Sequence, residues 1–369
     1  MKKILVLFLA GILLLSGCSG SNEPETTPPA ASATPAPTAQ VTPEPTPEPT
    51  PEPTPEPTPE PTPEPIRNPL TGEVVEADIS AVRPYAVMLN NISVAMPHCG
   101  ISQADIIYEI LVEGTTRMMA LYTDLTDVGA IGSIRSIRPY YISLMLTYDA
   151  IAVHAGGSEQ AYSDIRTKGI DNMDGVRGSQ DATIFYRDPN RKAHGIEHSL
   201  FTTGEKILSC TPVMGFRTEH EVGFDIGLTF ADNATPRGGV LAEEITVSFG
   251  SYKTSSFSYS VADKVYTMSQ FGSTYTDGNT GEAPGFTNVL VLYADSRIID
   301  NYARWSVNLT GSGKGYFACG GNAVEINWSR EAEGDKFVYT LADGTPLSFG
   351  VGTSYICVIP SDIGAVSFS

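Results

Sequence analysis

The chain predicts an α+β protein: an N-terminal sheet-and-helix domain of the α/β type, then a smaller antiparallel β-rich domain. Two patterns carry this expectation. Up to about residue 215, apolar strand-like runs alternate with stretches of helical spacing. From Leu241 to Phe368, alternating strands recur at roughly 8–12-residue intervals between turns, and helical periodicity is absent. A third observation sets the outer limits. Residues 19–65 are built almost wholly from Pro, Thr, Glu, Ser and Ala and offer no surface for a core. The expected organisation is therefore a leader at 1–18, a linker at 19–65, an α/β domain at 66–215 and a β-rich domain at 216–369.

The leader begins "MKKILVLFLAGILLLSGCSG". Lys2 and Lys3 precede a short apolar run, too short to span a bilayer and matched to a secretory signal. Its end, Leu15-Ser16-Gly17-Cys18, resembles the lipobox of bacterial lipoproteins, which implies that Cys18 is lipidated and becomes the mature N-terminus. In the linker, Thr-Pro-Glu-Pro repeats six times between Thr42 and Pro65. At about 3.1 Å per residue of polyproline II these repeats reach roughly 75 Å, a spacer between membrane and folded body.

In the body, "RPYAVMLNN" (83–91), "ADIIYEILVEG" (104–114) and "RMMALYTD" (117–124) read as strands, the last two as a hairpin through Gly114. "SIRPYYISLMLTYDA" (136–150) places Tyr140, Leu144 and Tyr148 at helical spacing, with Ser136 as the expected N-cap. Next, "AIAVHAGGSEQAYSDIRTKG" reads as a strand, a Gly-Gly turn and a helix capped by Ser158. "GEKILS" reads as the last helix. Beyond it, strands are expected at "ITVSFG", "SFSYSV", "VYTMSQ", "TNVLVLYA", "ARWSVNL", "GYFACGG", "AVEINWS", "KFVYTL" and "YICVIP".

The chain carries 23 basic and 42 acidic residues, a net charge of −19; without the two lysines and eight glutamates of residues 1–65, the body retains −13. Nucleic acid is excluded as a partner by that sign, and anionic lipid surfaces are disfavoured. After Cys18, four cysteines remain, with no metal-like CxxC spacing. An extracytoplasmic site permits disulfides. Cys319–Cys357 is the expected pair, and free buried thiols are the alternative.

Against this acidic background, "GSIRSIRPYY" (132–141) concentrates Arg135 and Arg138, with Arg117 on the strand before. A guanidinium forks onto carboxylate or phosphate. Helix starts near Ser136 and Ser158 add orphan N–H groups that favour an anion. The strand end and glycines of "HAGGS" lie where α/β sheets collect ligands. Arg135, Arg138, His154, Gly156, Gly157 and Ser158 are thus the candidate anion-receiving cleft. Glu109 and Glu113 share a strand face with Asp105 and are the candidate partners of Arg117, Arg135 and Arg138. At four residues apart, about 13 Å, such acids exceed the roughly 5–9.5 Å of glycosidase pairs. No GxSxG elbow surrounds Ser158. "HGIEH" (194–198) formally matches an inverted zinc-peptidase motif, but Gly195 and the preceding "YRDPNRKA" favour a loop. "GSGKG" (311–315) lacks Walker spacing and reads as a turn. Trp305 and Trp328 read as core. No cofactor and no metal are expected.

"NPLTGE" (68–73), "RPYAVMLNN", "MPHCGISQADIIYEILVEGTTRMMALYTD", "IGSIRSIRPYY", "YDAIAVHAGGS", "HSLFTT", "GSGKGYF", "INWSR" and "DGTPLSFGVGTSYICVIP" occur in order. Together they resemble the successive motifs of the YerB-like lipoprotein family. The resemblance implies a lipid-anchored surface protein with an α/β-type domain and a smaller β domain, and it carries over no catalytic residues. The expected function is an envelope protein binding an anionic cell-wall component or partner protein; the alternative is a hydrolase of wall glycan or peptide using Glu109 or Glu113 with His154.

Two outcomes are expected. Cys18→Ser should release the protein from membranes, and mass spectrometry of the mature N-terminus should find a lipid-modified Cys18. A truncated chain beginning at Ile66 should melt at the temperature of the full ectodomain, since the Pro/Thr/Glu repeats have nothing apolar to pack.

Overall fold

The computed structural model describes residues 65–369; the leader, Cys18 and the repeats lie outside the described residues. The first segment contributes β1 (Tyr85–Asn91), β2 (Ile106–Val112), β3 (Thr115–Tyr122), β4 (Ala130–Gly132), α1 (Pro139–Thr147), β5 (Ile151–His154), α2 (Glu159–Lys168), β6 (Asn172–Asp174), α3 (Asp181–Ile184), β7 (Tyr186–Arg187), β8 (Leu200–Thr203) and α4 (Gly204–Met214). Then follow β9 (Phe230–Ala231), β10 (Val240–Leu241), β11 (Glu244–Ser248), β12 (Thr254–Ser260), β13 (Val265–Gln270), β14 (Ser273–Thr274), β15 (Gly285–Phe286) and β16 (Asn288–Ala294). The last are β17 (Ser296–Ile298), β18 (Trp305–Val307), β19 (Gly311–Cys319), β20 (Asn322–Arg330), β21 (Val338–Leu341), β22 (Phe349–Gly350), β23 (Ser354–Pro360) and β24 (Ala365–Phe368). The protein is α+β.

An 11-stranded mixed sheet runs in the order β10-β20-β19-β16-β23-β2-β3-β1-β5-β6, with β21 beside β20. Both sequence segments build it. They meet where β23 lies parallel to β2, from Ile106↔Ser354 to Ile110↔Val358. All seven residues of β23 are buried, as a near-continuous apolar run with both faces covered requires. The β-rich segment therefore divides its strands. β11, β12, β13, β14, β15 and β24 form a separate six-stranded antiparallel sheet, β10, β16, β19, β20, β21 and β23 extend the central one, and β17 with β18 and β22 with β9 form two-stranded pairs.

Period-2 alternation gives the central sheet two different faces. On one, Tyr108 meets Tyr148 of the α1 turn, hydroxyl to hydroxyl at 2.6 Å, and Arg330 donates to the Thr147 hydroxyl at 2.9 Å. On the other, Glu109 faces the small sheet and is completely buried. Lys253, just before β12, donates to its Oε1 at 2.6 Å. Thr116 and Asn91 donate to the same oxygen, at 2.6 and 2.9 Å. Tyr355 and Ser255 supply Oε2, at 2.7 and 2.9 Å. Burial pushes this carboxyl up, but the Lys253 ammonium and the donated hydrogen bonds outweigh it and hold it below its ordinary value.

Several sequence expectations change. The first helix does not start after Ser136. Arg138 is its N-cap residue, extended at φ −128°, and Pro139 is its first residue; proline drives the residue before it out of the helical region and suits a first helical position. Ser158 does cap α2, accepting from the Ala161 N–H at 3.2 Å. "GSGKG" opens β19 instead of turning, and "HGIEH" forms two short 3-10 turns, 192–194 and 196–198. All four cysteines after Cys18 are free. Cys319 pairs with Asn288 and Cys357 with Val291 on the intervening β16. Two strand spacings and a three-residue offset separate them by roughly 14 Å, against the ~4.4–6.8 Å of a disulfide. Trp305 and Trp328 are core residues. Among the described residues no helix is long and apolar enough to cross a membrane.

Lys253→Met should lower unfolding stability by about 3–5 kcal/mol in urea titrations, because it strands a buried carboxylate. Adding Glu109→Gln, which removes the charge but keeps an acceptor for the surrounding donors, should restore part of the loss. The pair's contribution should be complete above the ordinary glutamate value of 4.5 and fade as pH falls through Glu109's lowered value.

Candidate functional site

β1 and β5 are parallel neighbours over Tyr85–Val87 and Ile151–Val153. The segment 133–137 lies across their carboxyl ends. Arg135 N–H donates to Met88 O at 2.8 Å, Asn90 N–H to Ser133 O at 3.0 Å, and Ala155 N–H to Arg135 O at 3.0 Å. Ile137 N–H reaches Gly156 O at 3.0 Å, and Ile134 N–H reaches Leu200 O at 2.7 Å from the β8 side. This backbone pairing brings Arg135 to His154, Gly156 and Gly157, as the sequence spacing anticipates. Gly157 lies close against this segment: a Cβ there would sit 3.1 Å from the Ile137 Cγ2, tighter than most Cβ contacts. Gly156, at φ +76°, turns its N–H onto Asp174 Oδ1 at 2.8 Å.

The three arginines have different surroundings. Arg138 forks onto Glu113, Nε to Oε1 at 2.7 Å and Nη2 to Oε2 at 2.8 Å. Arg117 is buried, its Nη1 donating to the Ser136 carbonyl at 2.6 Å; burial first, then the Arg138 charge, lowers it to about 10. Arg135 is half-buried. Its Nε is enclosed and without a partner among the described residues, as are Arg117 Nε and the Ser133 hydroxyl. Burial depresses the Arg135 guanidinium, while the Glu197 carboxylate acts in the opposite direction.

Other candidates lie elsewhere or are enclosed. Glu109 is on the opposite face of the sheet, because β3 pairs Ile110 with Arg117 and Glu109 with Met118. It partners Lys253 and none of the arginines. His154 is completely buried, its Nδ1 against Gly156 O at 2.9 Å and Nε2 against Asn172 Oδ1 at 3.2 Å. Burial lowers its ring despite the Asp174 carboxylate nearby. The pairing of Glu109 or Glu113 with His154 is therefore not assembled: one acid is sealed, the other is forked by Arg138, and the ring has no exposure. Ser158 is held in its cap.

Sequence reasoning overlooked Ser133 and Asp174, and it weighed His198 only within the zinc-like "HGIEH" motif. Asp174 Oδ2 accepts from Tyr162 at 2.8 Å, and His198 Nδ1 meets the Asn90 amide at 2.8 Å. Ser133 stands inside the same "GSIRSIR" run and was legible there. Asp174 arrives from a later element with no local pattern to mark it, and nothing in "HGIEH" pointed His198 towards Asn90. Among the described residues no group of histidine, cysteine and acidic side chains is placed to hold a metal ion.

Residues 70–217 match the N-terminal domain, and 245–356 the C-terminal domain, of a family described as "Protein of unknown function (DUF3048)". A curated relative, "Putative lipoprotein YerB" of Bacillus subtilis (strain 168), is 30% identical over 305 residues, 82% of this chain and 88% of its own. The chain belongs to the YerB-like, DUF3048 family. The crystal structure of the YerB protein from Bacillus subtilis superposes with a TM-score of 0.71 at 28% identity, covering 82% of this chain and 99% of that one. Every arginine and glycine of the candidate cleft falls in the family's N-terminal match, and Lys253 and Tyr355 fall in its C-terminal match.

Arg138→Lys should cost roughly 1–3 kcal/mol of stability by losing the fork onto Glu113. Arg135→Lys should leave the melting temperature within a degree or so of the unmodified chain, because no internal carboxylate depends on it. Parallel thermal melts check both.

Proposed function

We propose that this YerB-like protein is a lipid-anchored envelope protein that receives an anionic group of a cell-wall component at Arg135. In this reading the lipid on Cys18 and the proline-rich spacer hold the body outside the cell. The observation that carries the reading is the contrast between Arg138, neutralised by Glu113, and Arg135, whose buried Nε has no partner among the described residues. An enclosed donor without an acceptor is costly, and a carboxylate or phosphate bound there relieves that cost. The Ser133 hydroxyl, also enclosed and unpaired, is a second donor on the same segment. Glycines 156 and 157 keep the neighbouring backbone close, and the helix start at Ser158 adds a favourable dipole. The hydrolase reading draws no support, since Glu109 and His154 have no exposure.

The test is cosedimentation of the protein with isolated cell walls, with inorganic phosphate as competitor. Arg135→Lys should weaken binding at least about tenfold, or ~1.4 kcal/mol, at an unchanged melting temperature, and phosphate should compete. Undiminished binding by Arg135→Lys would remove Arg135 from the site.

A further inference from the structure

A second cavity lies far along the central sheet from the arginine segment, among β16, β19 and β20 and the loops beside them. Its volume is ≈ 410 Å³, within the ~300–1,000 Å³ of small-molecule sites. Register and alternation put Tyr293, Tyr316 and Glu325 on one face there: Val291 opposes Tyr316, and Tyr316 opposes Glu325. Tyr293 and Tyr316 are both only partly buried, so each offers ring surface to the cavity. The Tyr316 ring is also braced by Phe368, with centroids 5.1 Å apart and the planes tilted by 58°. Below them, Trp328 is fixed, its Nε1 donating to the Tyr293 carbonyl at 3.0 Å. Gly313 lies directly over that indole, where a Cβ would come within 2.5 Å of Nε1. The rim is polar, with Asp295 and Asn308 exposed beside the rings.

We infer that this cavity binds a neutral oligosaccharide. A pyranose has an apolar C–H face that packs on a tyrosine ring and an edge of hydroxyls that seeks acceptors. Tyr293 and Tyr316 supply the first surface; Asp295, Asn308 and Glu325 supply the second. The charges decide against the other flat, stackable ligand class. Asp295 carries no cation, and the ammonium of Lys314 is already engaged by Glu325. A nucleotide's phosphates would therefore meet uncompensated carboxylate. The site is distinct from the anion-receiving segment: it lies in another part of the sheet and prefers a ligand without charge.

Calorimetric titration of the full chain in detergent with chitotetraose and with maltotetraose tests the assignment. Binding of either is expected, weakened about tenfold or more by Tyr316→Ala and by Asp295→Asn, and unchanged by Arg135→Lys. That last variant separates this site from the proposed wall-anion site. Asp295 is exposed, so Asp295→Asn decides the matter by itself if Tyr316→Ala unfolds the chain. Absence of binding by both sugars at millimolar concentration, or binding that survives the substitutions, overturns the inference.

Discussion

The buried ion pair between Glu109 and Lys253 is the constraint around which this architecture is arranged. A carboxylate placed in mid-strand, with no exposure, is tolerable only with a full set of donors. Those donors come from far apart in the chain: Asn91 and Thr116 on adjoining strands of the first segment, and Lys253, Ser255 and Tyr355 from the second. Glu109 and Tyr355 are 246 residues apart in sequence. Satisfying the carboxylate thus requires the C-terminal β23 to lie beside β2 and the small sheet to cover that face. The two segments matched by the two family domains are joined through one sheet and one polar centre.

That arrangement separates the two faces chemically. The Glu109 face is closed by the small sheet and by Phe257 and Phe286 against Tyr355, with centroids 5.0 and 5.1 Å apart. The helix face carries the Arg138–Glu113 fork, with Arg117 bound beside it to the Ser136 carbonyl. Just beyond it, the 133–137 segment crosses the strand ends. Arg138 is held by an acid that the hairpin turn supplies, and Arg117 by a backbone carbonyl. Arg135 has neither. Three residues separate Arg138, which Glu113 neutralises, from Arg135, whose Nε has no partner among the described residues.

Much was legible in the sequence because it depends on local rules. Strand periodicity located β1, β2, β3 and β5, a serine before an amphipathic run located the cap of α2, and glycines marked the close approach at "HAGGS". The same local logic misled at Ser136, where a capping residue was outweighed by the proline three positions later, and at "GSGKG", where the glycines run within β19 and Gly313 makes room for Trp328.

By itself, then, the sequence determined the α+β class, the order of most elements, the acidic character of the body and the cluster of arginines near a strand end. Only the tertiary structure decided which arginine is neutralised, that Glu109 belongs to Lys253, that Cys319 and Cys357 stand two strands apart, and that both segments share a sheet. The physical reason is the range of the forces involved. Periodicity, capping and backbone preference act over a few residues, whereas ion pairing and burial join side chains that meet only after strands far apart in sequence have been laid side by side.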